Sequence, residues 1–320
     1  MENRDILGEW FEAMESLGED ISIRFGRVDE RGDAPVWEPL PHARFDGVGG
    51  FAQLLRQHGH AELRTLPQLK EGLTPRVFQV LRAWARHLFV RKPTFRWPAL
   101  SAPGRSGALP SAIASRIFDE EESRRVLVSA KSLGITVNTF LLDRVTRVVR
   151  RHLEKKPAEI AWMVPINMRG PVELARDTSN HSSFLEIAVR EDEPVSALQS
   201  RVRDAVRRGQ HWAYWYSFQF GRLFGRIGRR LFIGLQIHGP KHWVGSFSNL
   251  GLWDPPADGR TAYGWVFCPP PAPSQPICVG CVTYRGRLSI ALQIHPSLTT
   301  DPDVAEAWLA EIGEELQRNG

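Results

Sequence analysis

The sequence predicts an α+β protein made of two lobes, and three observations support that fold class. Segments with strand-like alternation and segments with helical periodicity are mixed, without the regular strand–helix–strand repetition of a doubly wound sheet. The 320 residues are 42% hydrophobic and 24% charged, which is enough apolar material for two packed lobes. A stretch rich in Pro, Gly, Ser and Ala at 96–112 has the composition of a linker. We therefore place a first lobe at 1–100, a linker at 101–116 and a second lobe at 117–320.

The first hundred residues contain segments of both kinds. Residues 3–17 have helical periodicity, and their apolar face is formed by Ile6, Trp10, Phe11 and Met14. Strands are predicted over 21–28 and, after the turn ERGDAP, up to about His42. Two more helices are predicted over 47–58 and 75–90. The apolar stripe of the second helix is formed by Val77, Leu81, Trp84 and Leu88.

The part of the chain after the linker has clearer boundaries. Asp119 and Glu122 have the spacing of a helix N-terminal capping box, and Gly134 has the position of a helix stop. Arg285 and Gly286 separate two alternating segments and predict a hairpin. The other predicted elements are helices at about 138–153, at 194–208 and from Pro302, and strands at 159–166 and 184–189.

The charge balance bears on the ligands that the protein binds. The formal net charge is +5, and the basic residues are scattered along the chain. Such a bias suits an anionic partner, which we expect to be a nucleotide-bearing thioester, an acidic carrier protein or an anionic membrane surface. It is too weak for nucleic acid, and no nucleic-acid-binding motif accompanies it. The N-terminal residues lack the apolar core of a signal peptide and no 18-residue apolar run occurs, so the expected location is the cytoplasm.

The three cysteines lie close together near the C-terminus. Cys278 and Cys281 form a C-x-x-C pair, which occurs in redox sites and in half of a zinc site. Both lie in an apolar segment, where cysteine is a small hydrophobic residue, and no second ligand pair completes a metal site. We therefore expect no disulfide, no metal and no resident cofactor.

The chemistry of the chain is centred on the segment Pro41-His42-Ala43-Arg44-Phe45-Asp46-Gly47. Its histidine is predicted to lie at the end of a strand, just before a sharp turn into an apolar helix. An imidazole in that position can point into a cleft and accept a proton from an alcohol or an amine at neutral pH. Asp46 could fix the turn through an ion pair, and Gly47 allows a tight turn. The pattern also fits a surface turn with an incidental histidine.

This segment resembles the H-H-x-x-x-D-G signature of the chloramphenicol-acetyltransferase-like superfamily, which includes condensation domains and wax ester synthase/diacylglycerol acyltransferases. Further segments are similar to this superfamily in the same order. They are residues 116–153, the VPINMR segment at 164–169, Ser179-Asn180-His181, the SFSNLG segment at 246–251, and the hairpin around Tyr284–Arg287. The resemblance implies a two-lobed mixed-sheet sandwich with the active site between the lobes.

The resemblance also implies a role for each matching residue. His42 matches the catalytic histidine and Asp46 the aspartate, which is mainly structural in the family. Arg169 matches the arginine that pairs with that aspartate across the lobes. Ser248 and Asn249 match a segment that lines the cleft, where their donors could stabilise an oxyanion. Asn249 is equally well explained as a turn residue.

The implied reaction is acyl transfer from a thioester to a hydroxyl or amine, with His42 as general base. The expected co-substrate is acyl-CoA, with a carrier-protein thioester as the alternative, and the acceptor is a small molecule or a lipid. Two departures point instead to a non-catalytic binding or assembly protein. Pro41 replaces the first histidine of the signature, and the motif begins close to the N-terminus, which implies a shortened first lobe.

A second unusual stretch, at 211–235, combines many aromatic residues with Arg222, Arg226, Arg229 and Arg230. Three interpretations fit this composition. The first is a helix that lies on a membrane surface and contacts the inner face of the membrane peripherally. The second is the wall of an acyl-chain tunnel. The third is a core helix that packs under a sheet with an exposed arginine edge.

Overall fold

The computed structural model describes residues 6–29, 34–60, 66–69, 78, 80–82, 85, 97, 112–154, 157–238, 242–255 and 263–318. Its strands are β1 Ser22–Val28, β2 Val36–Pro41, β3 Ala112–Ile117, β4 Glu159–Asn167, β5 Ser182–Arg190, β6 Gly245–Trp253, β7 Gly264–Cys268, β8 Ile277–Tyr284 and β9 Arg287–Ile294. Its helices are α1 Ile6–Glu15, α2 Gly47–Gln57, α3 Glu120–Ser132, α4 Val137–Arg151, α5 Val195–Arg207, α6 Gln210–Phe220, α7 Gly225–His238 and α8 Pro302–Gln317, and a 3-10 turn, Gly221–Phe224, joins α6 to α7.

The strands form two sheets, and together with the helices they confirm the predicted mixed α+β class. The smaller sheet has the order β2-β1-β7 and is antiparallel. The larger sheet has the order β3-β9-β8-β6-β4-β5, in which β6 runs parallel to both of its neighbours. Because β7 pairs with β1, a strand from the C-terminal part of the chain completes the sheet that carries the candidate histidine.

Each sheet has its own hydrophobic core. One core lies between the larger sheet and helices α3, α4, α5 and α8, and includes Trp162, Phe247 and Trp308. A second core joins α2 to the smaller sheet through Phe25, Phe51 and related side chains. A small third cluster contains Leu7, Met168, Val172, Trp212 and Trp215, and it connects α1 and α6 to the segment after β4.

Local signals in the sequence account for several element boundaries. Asp119 and Glu122 form the predicted capping box at the start of α3. The predicted hairpin is β8–β9, and its turn residues Arg285 and Gly286 both have positive φ, at 49° and 77°. A proline at the first turn opens α8 after the Asp301 N-cap. These boundaries form because side chains or backbone conformations within a few residues provide the hydrogen bonds or the turn that each helix or strand end needs.

The structure bears differently on three predictions, which concern the linker, the helix at 75–90 and membrane-spanning helices. Residues 112–116, which the sequence analysis assigns to the linker, belong to β3, and 101–111 lie outside the described residues. The described residues of the predicted helix at 75–90 are helical, but Leu81 is 56% exposed instead of facing a core. Among the residues that the structure describes, no single helix is long and apolar enough to cross a bilayer. Among the described helices, only the pair α3 and α4 is long and apolar enough when taken together, and the two are bent by 101° where they meet.

Candidate active site

The segment that contains His42 forms a tight connection between β2 and α2. Strand β2 ends at Pro41, whose carbonyl oxygen accepts hydrogen bonds from the backbone N–H groups of Arg44 and Phe45 at 2.9 and 3.1 Å. Asp46 is the N-cap of α2, and its Oδ1 accepts from the N–H of Gly49 at 2.7 Å. The sequence therefore folds locally into a capped turn that holds His42 at the junction.

Asp46 is buried and fully engaged by the segment that follows β4. The guanidinium of Arg169 donates to both carboxylate oxygens, with Nη1–Oδ2 at 2.8 Å and Nη2–Oδ1 at 3.0 Å. The backbone N–H of His181 donates to Oδ2 at 2.8 Å. The side chains of Asp46 and Arg169 are each only 5% exposed. A carboxylate held by this many donors has no free position for a substrate and acts as a structural anchor of the turn.

Arg169 connects the turn at Asp46 with Asn167 and with the loop at 177–179. Each of its five N–H donors has an acceptor in one of these three places. Besides Asp46, it donates from Nε to the carbonyl of Asp177 at 2.7 Å and from Nη2 to the carbonyl of Ser179 at 2.8 Å. Nη1 also donates to Oδ1 of Asn167 at 3.0 Å. Residues 167–180 are thereby fastened to the turn at Asp46. The sequence analysis expects this pairing, and the structure places the two side chains together.

The contacts of His42 determine which of its ring nitrogens can act as a base. Nδ1 lies 2.8 Å from the carbonyl oxygen of Phe45, which can only accept, and 3.3 Å from the amide Nδ2 of Asn180. Because the contact with the carbonyl is the shorter, we assign the proton to Nδ1 and the lone pair to Nε2. Asn180 donates from Nδ2 to the His42 carbonyl at 2.9 Å. The imidazole is thus held in one tautomer and one orientation, as a general base requires.

The surroundings of His42 keep its ring neutral. Burial lowers the pKa of His42, and the Phe45 carbonyl and the charge of Asp46 offset only part of that effect. The phenyl ring of Phe11, from α1, stacks on the imidazole with centroids 4.0 Å apart and an interplanar angle of 26°. A neutral imidazole at pH 7 can accept a proton, and Phe11 covers one of its faces.

Several solved structures have a fold similar to that of this chain. The chain is similar to the condensation domain from Monacolin K polyketide synthase MokA, with 12% identity over 75% of this chain and 56% of that chain, and a TM-score of 0.51. It is also similar to the epimerization domain from the third module of tyrocidine synthetase B, with 13% identity over 88% and 68% and a TM-score of 0.51. The cyclization-docking bidomain from Sorangium cellulosum matches with 11% identity over 88% and 60% and a TM-score of 0.55.

The chain has the condensation-domain fold. This is the chloramphenicol-acetyltransferase-like architecture that the resemblance in the sequence implies. The chain spans little more than half of the MokA structure, 56% of its length. No protein-family model and no curated protein sequence matches the chain. At these identities the similarity establishes the fold, and the site must be judged on its own geometry.

Within the condensation-domain fold, strand β6 lies beside the His42 turn. A Cβ atom added to Gly47 would lie 2.6 Å from Leu250 Cδ2, so Gly47 allows this close approach. Ser248 is buried on the same strand. Asn249 Oδ1 accepts from the N–H of Gly251 at 2.9 Å, where the pairing of β6 with β8 is irregular, so Asn249 has the contact of a turn residue. In the described part of the chain, neither side chain is hydrogen-bonded to His42.

Four residues that shape the site have no role predicted from the sequence. Asn180 is fully buried and also accepts from the backbone N–H of Ser182 at 3.1 Å, so it fixes the position of the His42 carbonyl. A Cβ atom on Gly49 would overlap the Thr178 carbonyl and lie 2.7 Å from Arg169 Nη2. His181 supplies a backbone donor, and Phe11 supplies the stacking ring. The SNH segment was a signal for Asn180 and His181, whereas nothing local indicated Gly49 or Phe11.

The cysteines are packing residues in the described structure. Cys268, Cys278 and Cys281 are free and fully buried, and burial raises the pKa of each thiol. Such thiols are poor nucleophiles and poor metal ligands. No group of three or more His, Cys, Asp or Glu side chains among the described residues could hold a metal ion.

Proposed function

We propose that the protein transfers an acyl group from a thioester to a hydroxyl or amine, with His42 as general base. The observation that carries this proposal is the hydrogen bond from His42 Nδ1 to the Phe45 carbonyl, which leaves Nε2 as the proton acceptor. The condensation-domain fold supports the same reaction class, since the superfamily that the sequence resembles joins acyl groups to acceptors.

The proposed reaction is a single addition and elimination at the thioester carbonyl. Nε2 of His42 removes the proton from the acceptor while the acceptor oxygen or nitrogen attacks the carbonyl carbon. The C–S bond then breaks, and the leaving thiolate takes the proton from the imidazolium, so the histidine returns to its neutral form. Asp46 contributes by holding the turn through Arg169.

The oxyanion of the tetrahedral intermediate needs a donor near His42. We assign this role to the hydroxyl of Ser248 or the amide Nδ2 of Asn249, because β6 lies beside the turn and the Oδ1 atom of Asn249 is already used by Gly251. A carrier-protein thioester is the proposed donor, because the similar structures are domains of polyketide and nonribosomal peptide synthases. An acyl-CoA thioester is the alternative.

The decisive experiment measures free thiol release from a panel of acyl-CoA and acyl-carrier thioesters offered with alcohols and amines. We expect His42→Ala to lower turnover by about two to four decades, the usual contribution of a general base. The matched control is His58→Ala. His58 is a half-buried histidine just beyond the end of α2, and its Nε2 lies 3.0 Å from Oε1 of Glu38. A folded His42→Ala protein with unchanged turnover would refute the assignment.

The stack of Phe11 on His42 favours a second candidate, a non-catalytic protein that uses the cleft for binding. The same panel separates the two functions. A non-catalytic protein releases no thiol from any donor and binds a thioester or acceptor equally well with and without the His42 imidazole.

A further inference from the structure

The outer face of the segment from the 3-10 turn to α7 is apolar and exposed. We call this face the outer stripe; its residues are Leu223, Phe224, Ile227, Leu231 and Leu235. Leu223, Ile227 and Leu235 are 81%, 78% and 74% exposed, although such side chains normally occupy the core. Within α7, Ile227, Leu231 and Leu235 are four residues apart and share one face of the helix. Leu223 and Phe224 are exposed in the 3-10 turn that directly precedes it. An exposed apolar face of this kind marks an interaction surface.

Positive charge runs along one edge of the outer stripe. Arg226 and Arg230 are exposed, and each precedes a stripe residue by one position, so they lie side by side along α7. Arg229 has a different role, because it is buried and pairs with Glu9 of α1 at 2.7 Å. The exposed face therefore combines protruding aliphatic groups with two long cationic side chains at its border.

This combination fits an anionic lipid surface better than a second copy of the chain. In a two-fold dimer the same face meets itself, and α7 contains no acidic residue that could pair with Arg226 and Arg230. At a bilayer surface, aliphatic groups enter the acyl region while arginine stems extend to the phosphates. The complementary charge of the headgroups thus accounts for both features of the face.

Helix α1 connects the outer stripe to the candidate active site. The indole N–H of Trp10 donates to the Phe218 carbonyl at 3.1 Å, and its ring packs edge-on against Phe232 of α7 with centroids 5.7 Å apart. A Cβ atom on Gly221 would overlap the same indole, so the 3-10 turn lies directly against it. The next residue of α1 is Phe11, which stacks on His42.

We propose that the outer stripe docks on an anionic lipid surface and that α1 links this contact to the exposure of His42. Neighbouring residues of α1 touch the docking helix and the imidazole, so a shift of α7 on docking moves Phe11 relative to His42. The link, but not the docking, rests on the proposed function. The link implies that one substrate of the site, either the acyl donor or the acceptor, is apolar and reaches the site from the lipid surface.

The docking is tested by co-sedimentation with vesicles of phosphatidylcholine alone or mixed with phosphatidylglycerol. We expect binding to the mixed vesicles at low salt and release at high salt, and weakening by about 30-fold in R226Q/R230Q. I227Q/L231Q should not bind. The matched control L127Q/V128Q replaces two exposed apolar residues of α3 and should bind as the parent does.

Three outcomes would overturn the docking. They are no binding of the parent protein at low salt, binding that I227Q/L231Q leaves intact, and concentration-dependent dimerisation that I227Q/L231Q abolishes. The last outcome would assign the face to a second copy.

The link is tested without substrate, by the rate at which diethyl pyrocarbonate modifies His42, read by mass spectrometry. We expect mixed vesicles to raise that rate severalfold in the parent protein and not in I227Q/L231Q. Phe11→Ala should give the high rate without vesicles. An unchanged rate on bound vesicles would refute the link while the docking stands, and neither result depends on whether the protein transfers acyl groups.

Discussion

The turn at Asp46 and the outer stripe of α7 place their side chains in opposite ways. At the turn, the charged groups of Asp46 and Arg169 are buried, and together their donors and acceptors are satisfied. On α7, large aliphatic groups are exposed while Arg229 is buried against Glu9. Each arrangement is costly by itself, since burial removes charges from water and exposure places apolar surface in water. The difference shows that the turn depends on internal contacts, whereas the stripe is arranged for an external one.

The largest effect on stability should come from breaking the buried pair. Asp46→Asn leaves the Arg169 charge buried without its counter-charge, so we expect a loss of about 3–5 kcal/mol in the free energy of unfolding. The control is Arg56→Gln, which breaks the exposed pair Arg56–Asp177 between nearby segments and should cost less than about 1 kcal/mol. Urea unfolding measures both, and equal losses would mean that burial does not strengthen the inner pair.

Two helical glycines should respond to alanine with opposite signs. In Gly49→Ala the added methyl group overlaps the Thr178 carbonyl, so α2 must move and the free energy of unfolding should fall by about 1–3 kcal/mol. In Gly234→Ala the methyl group meets nothing within 4 Å, so α7 should gain about 0.5–1 kcal/mol. Thermal unfolding of both variants provides the test, and a tolerated Gly49→Ala would show that α2 can shift without loss.

The pH dependence of turnover should follow the neutral form of His42. Burial lowers the pKa of this group from its ordinary value of about 6.5, so kcat/KM should be constant above that pH and fall at lower pH as Nε2 becomes protonated. The same shift makes the folded protein lose stability as pH falls from about 6.5 towards the folded pKa, because the unfolded chain takes up the proton first. An acid limb with its midpoint above pH 7 would contradict a buried neutral base.

The smallest effect should come from the outer stripe. Its side chains are exposed in the folded protein, so I227Q/L231Q should change the free energy of unfolding by no more than about 0.5 kcal/mol per residue. Urea unfolding without lipid measures this change. A loss of several kcal/mol would mean that the stripe packs inside the protein, and the comparison with the turn would then fail.

Predictions that depend on nearby residues were the most successful. The Asp119–Glu122 box and the Arg285-Gly286 turn form as expected, because each is complete within a few residues. Motif order also predicted the fold, which the similar structures confirm. The inward position predicted for Leu81 was wrong, because helical periodicity shows that a helix has an apolar face and not that another element covers it. The other residues of that stripe, Val77, Trp84 and Leu88, lie outside the described residues.

The stretch at 211–235 shows the same limit more clearly. Its composition fits three interpretations, and the structure divides it into two helices with different surroundings. Helix α6 buries Trp212, Tyr214 and Trp215, as a core helix does, and α7 exposes its aliphatic face. The arginines of α7 also separate, since Arg229 turns inwards to Glu9 while Arg226 and Arg230 are exposed. Helix α1, more than two hundred residues away in the chain, covers the face of α7 that carries Arg229 and Phe232.

The sequence alone determined the mixed α+β class, the sharp turn after His42 and the chemistry available to an imidazole there. Those features depend on periodicity and on a motif that is continuous in the chain. The tertiary structure alone decided that β7 joins β1, that Asn180 and Phe11 meet His42, and that the outer stripe faces away from the protein. These contacts join residues far apart in the chain, and their free energy comes from packing and charge pairing that no local pattern encodes.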